Sequence, residues 1–185
     1  MPSSRNLPLD GIRIIDMTTT LAGPYGSQIL GDFGADVIKI EAPGGDAIRN
    51  AGPQRHQGMA ATFMGCNRNK RSAVLDLKTA AGKDALWMLL DTAQVFLHAI
   101  RPQKMAALGF DAASVMQRRP DIVYAALHGY HEHGPYGGRP AYDDVIQGEA
   151  AITDTFTLRD GKPAMVPSSF ADKNTGLITA NGVLA

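Results

Sequence analysis

Apolar residues in this chain fall into short runs rich in Val, Ile and Leu, set between stretches where they recur every three or four positions. Short apolar runs bounded by turn residues read as strands buried on both faces. Residues 12–17, 36–41, 71–76, 94–97 and 122–127 fit that description. Residues 25–33 read as a helix closed by Gly34, and residues 112–118 as a shorter one. Residues 78–93 form a longer amphipathic helix, with Ala81, Ala85, Leu86, Leu89 and Leu90 on one side. Strands alternating with helices predict a Rossmann-like, doubly wound, mainly parallel α/β sheet. The expectation is a single domain over residues 1–185 that opens with a short tail, residues 1–8. In open sheets of this type, ligands bind beyond the carboxyl ends of the strands. The segments 18–24, 42–58, 77–78 and 129–142 are therefore where chemistry is expected.

Composition narrows the class. The 185 residues carry 18 basic and 18 acidic side chains, so no bulk field favours nucleic acid or an anionic membrane. Cys66 is the only cysteine, which rules out an internal disulfide and points to a reducing, cytoplasmic setting. No apolar run approaches the roughly 20 residues of a membrane span, and the residues after Met1 lack the apolar core of a signal peptide.

Candidate chemistry centres on Ala171-Asp172-Lys173-Asn174-Thr175-Gly176, which follows a Pro/Ser loop and opens an apolar, small-residue stretch. Asp172 is thereby expected at the mouth of a helix. Unpaired N–H groups and the helix dipole would hold its carboxylate ionised there. An ionised carboxylate can attack an activated acyl group; it can equally serve as a plain helix cap. That stretch stays helical in pattern to Ala185, so the chain is expected to break off inside its last helix. Leu21-Ala22-Gly23-Pro24 reads as a phosphate-binding turn or as a tight turn with proline at the first helical position. The basic cluster Asn67 to Ser72 reads as phosphate neutralisation or as a solvated face. His128, His131 and His133 lie on a Gly/Pro loop whose spacing fits no helical zinc motif, so no metal is expected.

Taken in order, these segments resemble one family. Gly11 to Thr18 with Ala22-Gly23-Pro24 is similar to the opening of the class III coenzyme A transferases, the group that includes formyl-CoA transferase, carnitine CoA-transferase and the α-methylacyl-CoA racemases. The likeness continues through Leu30 to Glu41, Asn69 to Ser72, Leu75 to Lys78, Leu108 to Asp111 and Arg139 to Asp143 with Gln147. The resemblance implies a Rossmann-like CoA-binding domain from the N-terminal portion of a longer chain, whose two subunits interlock as a homodimer. It places the family's catalytic aspartate on Asp172. It places coenzyme A contacts on Thr20, Leu21, Ala42, Leu75, Lys78, Ala107 and Leu108, with acyl-CoA and a small carboxylic acid as substrates. Ala42 and Ala107 stand where relatives carry basic residues, leaving Arg49, Arg101 and Lys104 as candidates to meet the phosphates. Tyr142 stands where the racemases place a histidine. A phenol with a pKa near 10 is a poor proton carrier at neutrality, which favours transfer over racemisation. A racemase-like enzyme and a non-catalytic CoA-binding fragment are the alternatives.

Overall fold

The computed structural model describes residues 7–185, so most of the expected tail lies outside the described residues. Leu7 and Pro8 belong to a turn in which the Leu7 N–H donates to Asp10 Oδ2 at 2.9 Å. Five strands and eight α-helices follow among the described residues. The strands are β1 (Arg13–Met17), β2 (Asp36–Glu41), β3 (Lys70–Val74), β4 (Val95–His98) and β5 (Val123–Ala126). All are parallel, in the order β3-β2-β1-β4-β5. The chain leaves β1 toward β2 on one side and returns to add β4 on the other. A crevice between the β1 and β4 ends is the topological consequence.

The helices are α1 (Ala22–Asp32), α2 (Ala61–Cys66), α3 (Ala80–Leu90), α4 (Pro102–Leu108), α5 (Ala112–Arg118), α6 (Asp143–Glu149), α7 (Thr155–Asp160) and α8 (Phe170–Leu184). Successive strand residues face opposite sides. Ile15, Met17, Ile38, Ile40 and Phe96 pack with Leu86 and Leu90 of α3, Met105 of α4 and Val115 of α5. Ile14, Val37, Val95 and Leu97 pack with Leu30 of α1 and Ala180 of α8. Two cores on the two faces of one sheet explain why the central strands read as unbroken apolar runs.

Local chemistry sets several helix bounds. Helix α3 starts at Ala80 because the Thr79 hydroxyl accepts from the Gly82 N–H at 3.0 Å. Its buried stripe is Gly82, Leu86 and Leu90, whereas Ala81 of the expected stripe is exposed. Helix α1 begins at Ala22, which makes Pro24 its third residue rather than its first. Proline is tolerated there because the first four N–H groups of a helix have no acceptor within it. Gly34, at φ +105°, ends the turn after α1.

Helices α1 and α8 touch backbone to backbone. A Cβ on Gly26 would lie 2.7 Å from the Gly176 carbonyl oxygen, and one on Gly176 would lie 2.4 Å from that of Ala22. This contact sets α8 directly against the segment that leaves β1, which brings its first turn to the crevice.

Candidate functional site

A cavity of about 350 Å³ opens at the β1/β4 crevice. Its walls include Thr19, Thr20 and Leu21 after β1, Ala99 and Arg101 after β4, His128 to Tyr130 after β5, and Gly138 to Tyr142. Ala171, Asp172 and Thr175 of α8 close the remaining side. Of the residues expected at the site, the structure gathers Thr20, Leu21 and Asp172 around this one cavity. Ala42, after β2, and Leu75 and Lys78, after β3, lie outside its walls, as do Ala107 and Leu108 near the end of α4. The segment after β4 was absent from the segments the sequence singled out. The rule that ligands sit beyond strand ends applies to β4 as much as to its neighbours.

The turn after β1 rests on buried charge. Asp16 is fully buried and accepts from the Thr18 N–H at 2.8 Å and from the Ser27 hydroxyl at 2.5 Å. Lys70 pairs with Asp16 at 3.2 Å and donates to the Pro24 carbonyl at 2.9 Å, tying β3 to the start of α1. Two lysines and two hydroxyls around Asp16 outweigh its burial and hold its carboxyl below the usual range. Lys39, 1% exposed in its side chain, donates to the Thr18 carbonyl at 2.7 Å and lies 2.9 Å from Asp46 Oδ2. Asp46 in turn accepts from the Thr20 N–H at 3.2 Å. These bonds fix Thr20 at φ +69°, in the left-handed region that a β-branched residue seldom occupies.

The same network answers the question of the basic cluster. Lys70 is structural, while Arg68 pairs with Asp32 and Arg71 with Asp36 at the surface. Arg49 is likewise committed: it pairs with Glu41 at 2.6 Å and lies over the Phe63 ring at 3.8 Å. Of the three cations proposed to replace the missing basic residues, Arg101 is the one that lines the cavity.

Asp172 occupies the third position of α8, and Ser169 precedes the helix. Its backbone N–H donates to Asp143 Oδ1 at 2.9 Å, so the carboxylate capping this helix comes from α6. Asp143 Oδ2 accepts from Gln147 Nε2 at 2.5 Å. Gln147, fully buried, also donates to the Ser168 carbonyl at 3.3 Å and accepts from the Val166 N–H at 2.8 Å. Among the described residues the Asp172 carboxylate forms no ion pair. Burial, followed by the negative charge of Asp143, raises its pKa above the ordinary carboxylate value. The helix entrance is therefore not the only influence on this carboxylate: desolvation and a like charge act against the dipole.

His98 is fixed elsewhere. Its Nδ1 accepts from the Ile100 N–H at 3.2 Å, which puts the ring proton on Nε2, 2.8 Å from Tyr124 Oη. The Tyr124 hydroxyl in turn donates a hydrogen bond to the Phe110 carbonyl at 3.0 Å. Burial lowers the His98 pKa to about 4 and raises that of Tyr124. Among the described residues no group of three or more His, Cys, Asp or Glu side chains could hold a metal ion. No described helix is long and apolar enough to cross a membrane.

Comparison with known proteins agrees with this architecture. A probable fatty acyl-CoA transferase of Mycobacterium tuberculosis is 41% identical over the whole chain, which covers 48% of that protein. The succinate–glutarate CoA-transferase of Agrobacterium fabrum is 36% identical, again over the whole chain and 48% of the relative. The crystal structure of a CAIB/BAIF family protein from Brucella suis superposes with a TM-score of 0.92 at 36% identity, covering 97% of this chain and 49% of that one. The chain thus spans about half the length of the relatives it matches. The model of CoA-transferase family III matches residues 9–185, and the chain belongs to that family.

Proposed function

We propose that the intact protein is a CoA transferase that moves coenzyme A from an acyl-CoA donor to a carboxylic acid, with Asp172 as the nucleophile. The observation that carries this reading is the position of Asp172 on the wall of the switch-point cavity, beside Thr20 and Leu21. Preserving a thioester's energy requires that the acyl group be held on the enzyme, away from water. One Asp172 oxygen attacks the donor thioester carbonyl, giving a mixed anhydride and CoA thiolate. The thiolate attacks the aspartyl carbonyl of that anhydride, forming an aspartyl-CoA thioester and releasing the donor acid as its carboxylate. The acceptor carboxylate then attacks the aspartyl-CoA carbonyl and expels CoA thiolate. That thiolate attacks the acceptor's acyl carbon, yielding the new acyl-CoA and the free Asp172 carboxylate. Each step exchanges one acyl–oxygen or acyl–sulfur bond for another, so no redox partner is involved.

Thr20 and Leu21 are assigned to coenzyme A beside the reacting thioester. Ala42, Leu75, Lys78, Ala107 and Leu108 are assigned to its more distant parts, since an extended ligand outreaches the cavity. A homodimer in the cytoplasm belongs to the same reading. Tyr142 lines the cavity at the position where the racemases place a histidine, and a phenol is a poorer proton carrier near neutrality than an imidazole, which supports transfer over racemisation. Incubating the intact protein with candidate acyl-CoAs, then locating a CoA adduct by mass spectrometry, tests the reading. The adduct is expected on the peptide containing Asp172, and Asp172→Ala is expected to lose it with at least roughly a thousandfold drop in turnover. Near-normal turnover in that variant excludes the assignment.

A further inference from the structure

We infer that Asp143 and Gln147 are positioning residues for Asp172: Asp143 caps α8 at the nucleophile's own N–H, and Gln147 locks both that carboxylate and the loop leading into the helix. The inference rests on Asp172 being the nucleophile. Its geometry is a closed set of bonds. Asp143 spends one oxygen on the Asp172 N–H and the other on Gln147. Gln147 spends its remaining donor on Ser168 and its acceptor on Val166, two points of the segment just before α8. A fully buried amide with each of these capacities used fixes one arrangement of the first turn, because any shift leaves a buried polar atom unpaired.

Charge gives the pair a second role. Asp143 lies against a carboxylate that is negative before acylation and neutral afterwards, as anhydride or thioester. Repulsion between the two is therefore present in the resting enzyme and absent once Asp172 is acylated, so it favours the attack. The half-buried setting of Asp172 leaves little water to screen it. The other charged or titratable groups around Asp172 are few. Arg101, His128, Tyr130, Arg139 and Tyr142 line the same cavity. Cys66 at the end of α2 and Lys173 on α8 lie close enough for their charges to interact, and the Cys66 thiol is pushed up by burial. Lys70 beyond them is engaged with Asp16. Asp144 follows Asp143 in the first turn of α6.

The test compares the intact protein with its Asp143→Asn and Gln147→Met variants. Single-turnover formation of the Asp172 adduct is followed against pH, alongside coenzyme A affinity. Asp143→Asn retains an oxygen for the N–H but removes the charge. Its acid limb is expected to move to lower pH by on the order of half a unit to one unit, with the plateau rate down roughly tenfold. Gln147→Met is expected to lower the plateau roughly tenfold while leaving the limb in place, coenzyme A affinity staying within about threefold in both. A merely structural role would not move the limb, so if Gln147→Met fails to fold, Asp143→Asn decides alone. An Asp143→Asn profile that overlays the unaltered protein overturns the inference, as does a loss traced wholly to coenzyme A affinity. An unaltered protein that places its adduct on another residue overturns the nucleophile assignment itself, which is a different result.

Discussion

Thr20 holds a conformation that its side chain disfavours, and the residues beneath it explain why it does not relax. Asp46 takes the Thr20 N–H, Lys39 takes the Thr18 carbonyl, and Lys39 and Asp46 face each other with almost no exposure. A buried pair of this kind contributes little net stability against an apolar substitute, but breaking it leaves one charge stranded. Lys39→Met is therefore expected to cost about 3–5 kcal/mol in urea unfolding. Lys39→Met combined with Asp46→Asn is expected to cost less than the single change, since no lone carboxylate remains. Equal losses in the two would show that the cost of Lys39→Met does not come from a stranded Asp46 carboxylate, and a double loss equal to the sum of the two single losses would show that the pair is not coupled. None of this was legible in the sequence. Lys39 reads there as a polar interruption in an apolar strand, and its partner lies in a loop whose path the spacing of residues does not give. Asp172 was different: a carboxylate after a Pro/Ser loop and before an apolar stretch is a local signal. Its cap, Asp143, lies 29 positions away in sequence, and only the fold reveals it.

Elements whose cause is local were the readable ones. Strand β2 and helix α5 fall at Asp36–Glu41 and Ala112–Arg118, the bounds read from the sequence, because an apolar run and the Asp111 cap define them. Helices α2, α4, α6 and α7, of six or seven residues each, were not foreseen. Segments that short carry too little periodicity to separate from loop, although Pro102 at the start of α4 and Gly109 in the left-handed region after it are signals that could have found one. Gly176 sits in a seam where the two backbones meet, whereas Gly182, six residues on, has nothing within 4 Å of the position a Cβ would take. Gly176→Ala must push α8 away from α1, and is expected to destabilise by more than about 2 kcal/mol and to slow adduct formation. Gly182→Ala replaces an exposed helical glycine and is expected to stabilise by about 0.5–1 kcal/mol. Thermal and urea unfolding of the two variants measure the contrast, and equal effects would mean that the seam does not set the helix position.

Across the whole molecule, Glu41 and His98, on the two strands that flank β1, are two of the groups on which acid stability depends. Glu41, at the end of β2, is held at a pKa of about 2, first by the Arg49 guanidinium and then by Ser72 and the Asp46 N–H. Its depressed value means that the folded state prefers the ionised form. That stability is present above the ordinary carboxylate value of 4.5 and is lost as pH falls toward 2. His98, at the end of β4, has its pKa lowered to about 4 from 6.5 because burial disfavours the cation. The unfolded chain takes up this proton first, so stability is intact above 6.5 and declines as pH falls toward 4. The two windows meet, and together they make stability fall continuously from just below neutrality into strong acid. Each contributes about 3 kcal/mol over its window. His98→Gln cannot be protonated, and its amide can still meet the Ile100 N–H or the Tyr124 hydroxyl. Unfolding free energies measured from pH 7 to pH 4.5 are expected to slope downward with acid in the unaltered protein and to stay nearly flat over the same range in His98→Gln, apart from the onset of carboxylate protonation. The decline below pH 4.5 is expected to persist in that variant, because Glu41 is untouched, and to be reduced by Glu41→Gln. A His98→Gln slope equal to that of the unaltered protein would show that the burial of His98 is not the source of the acid sensitivity.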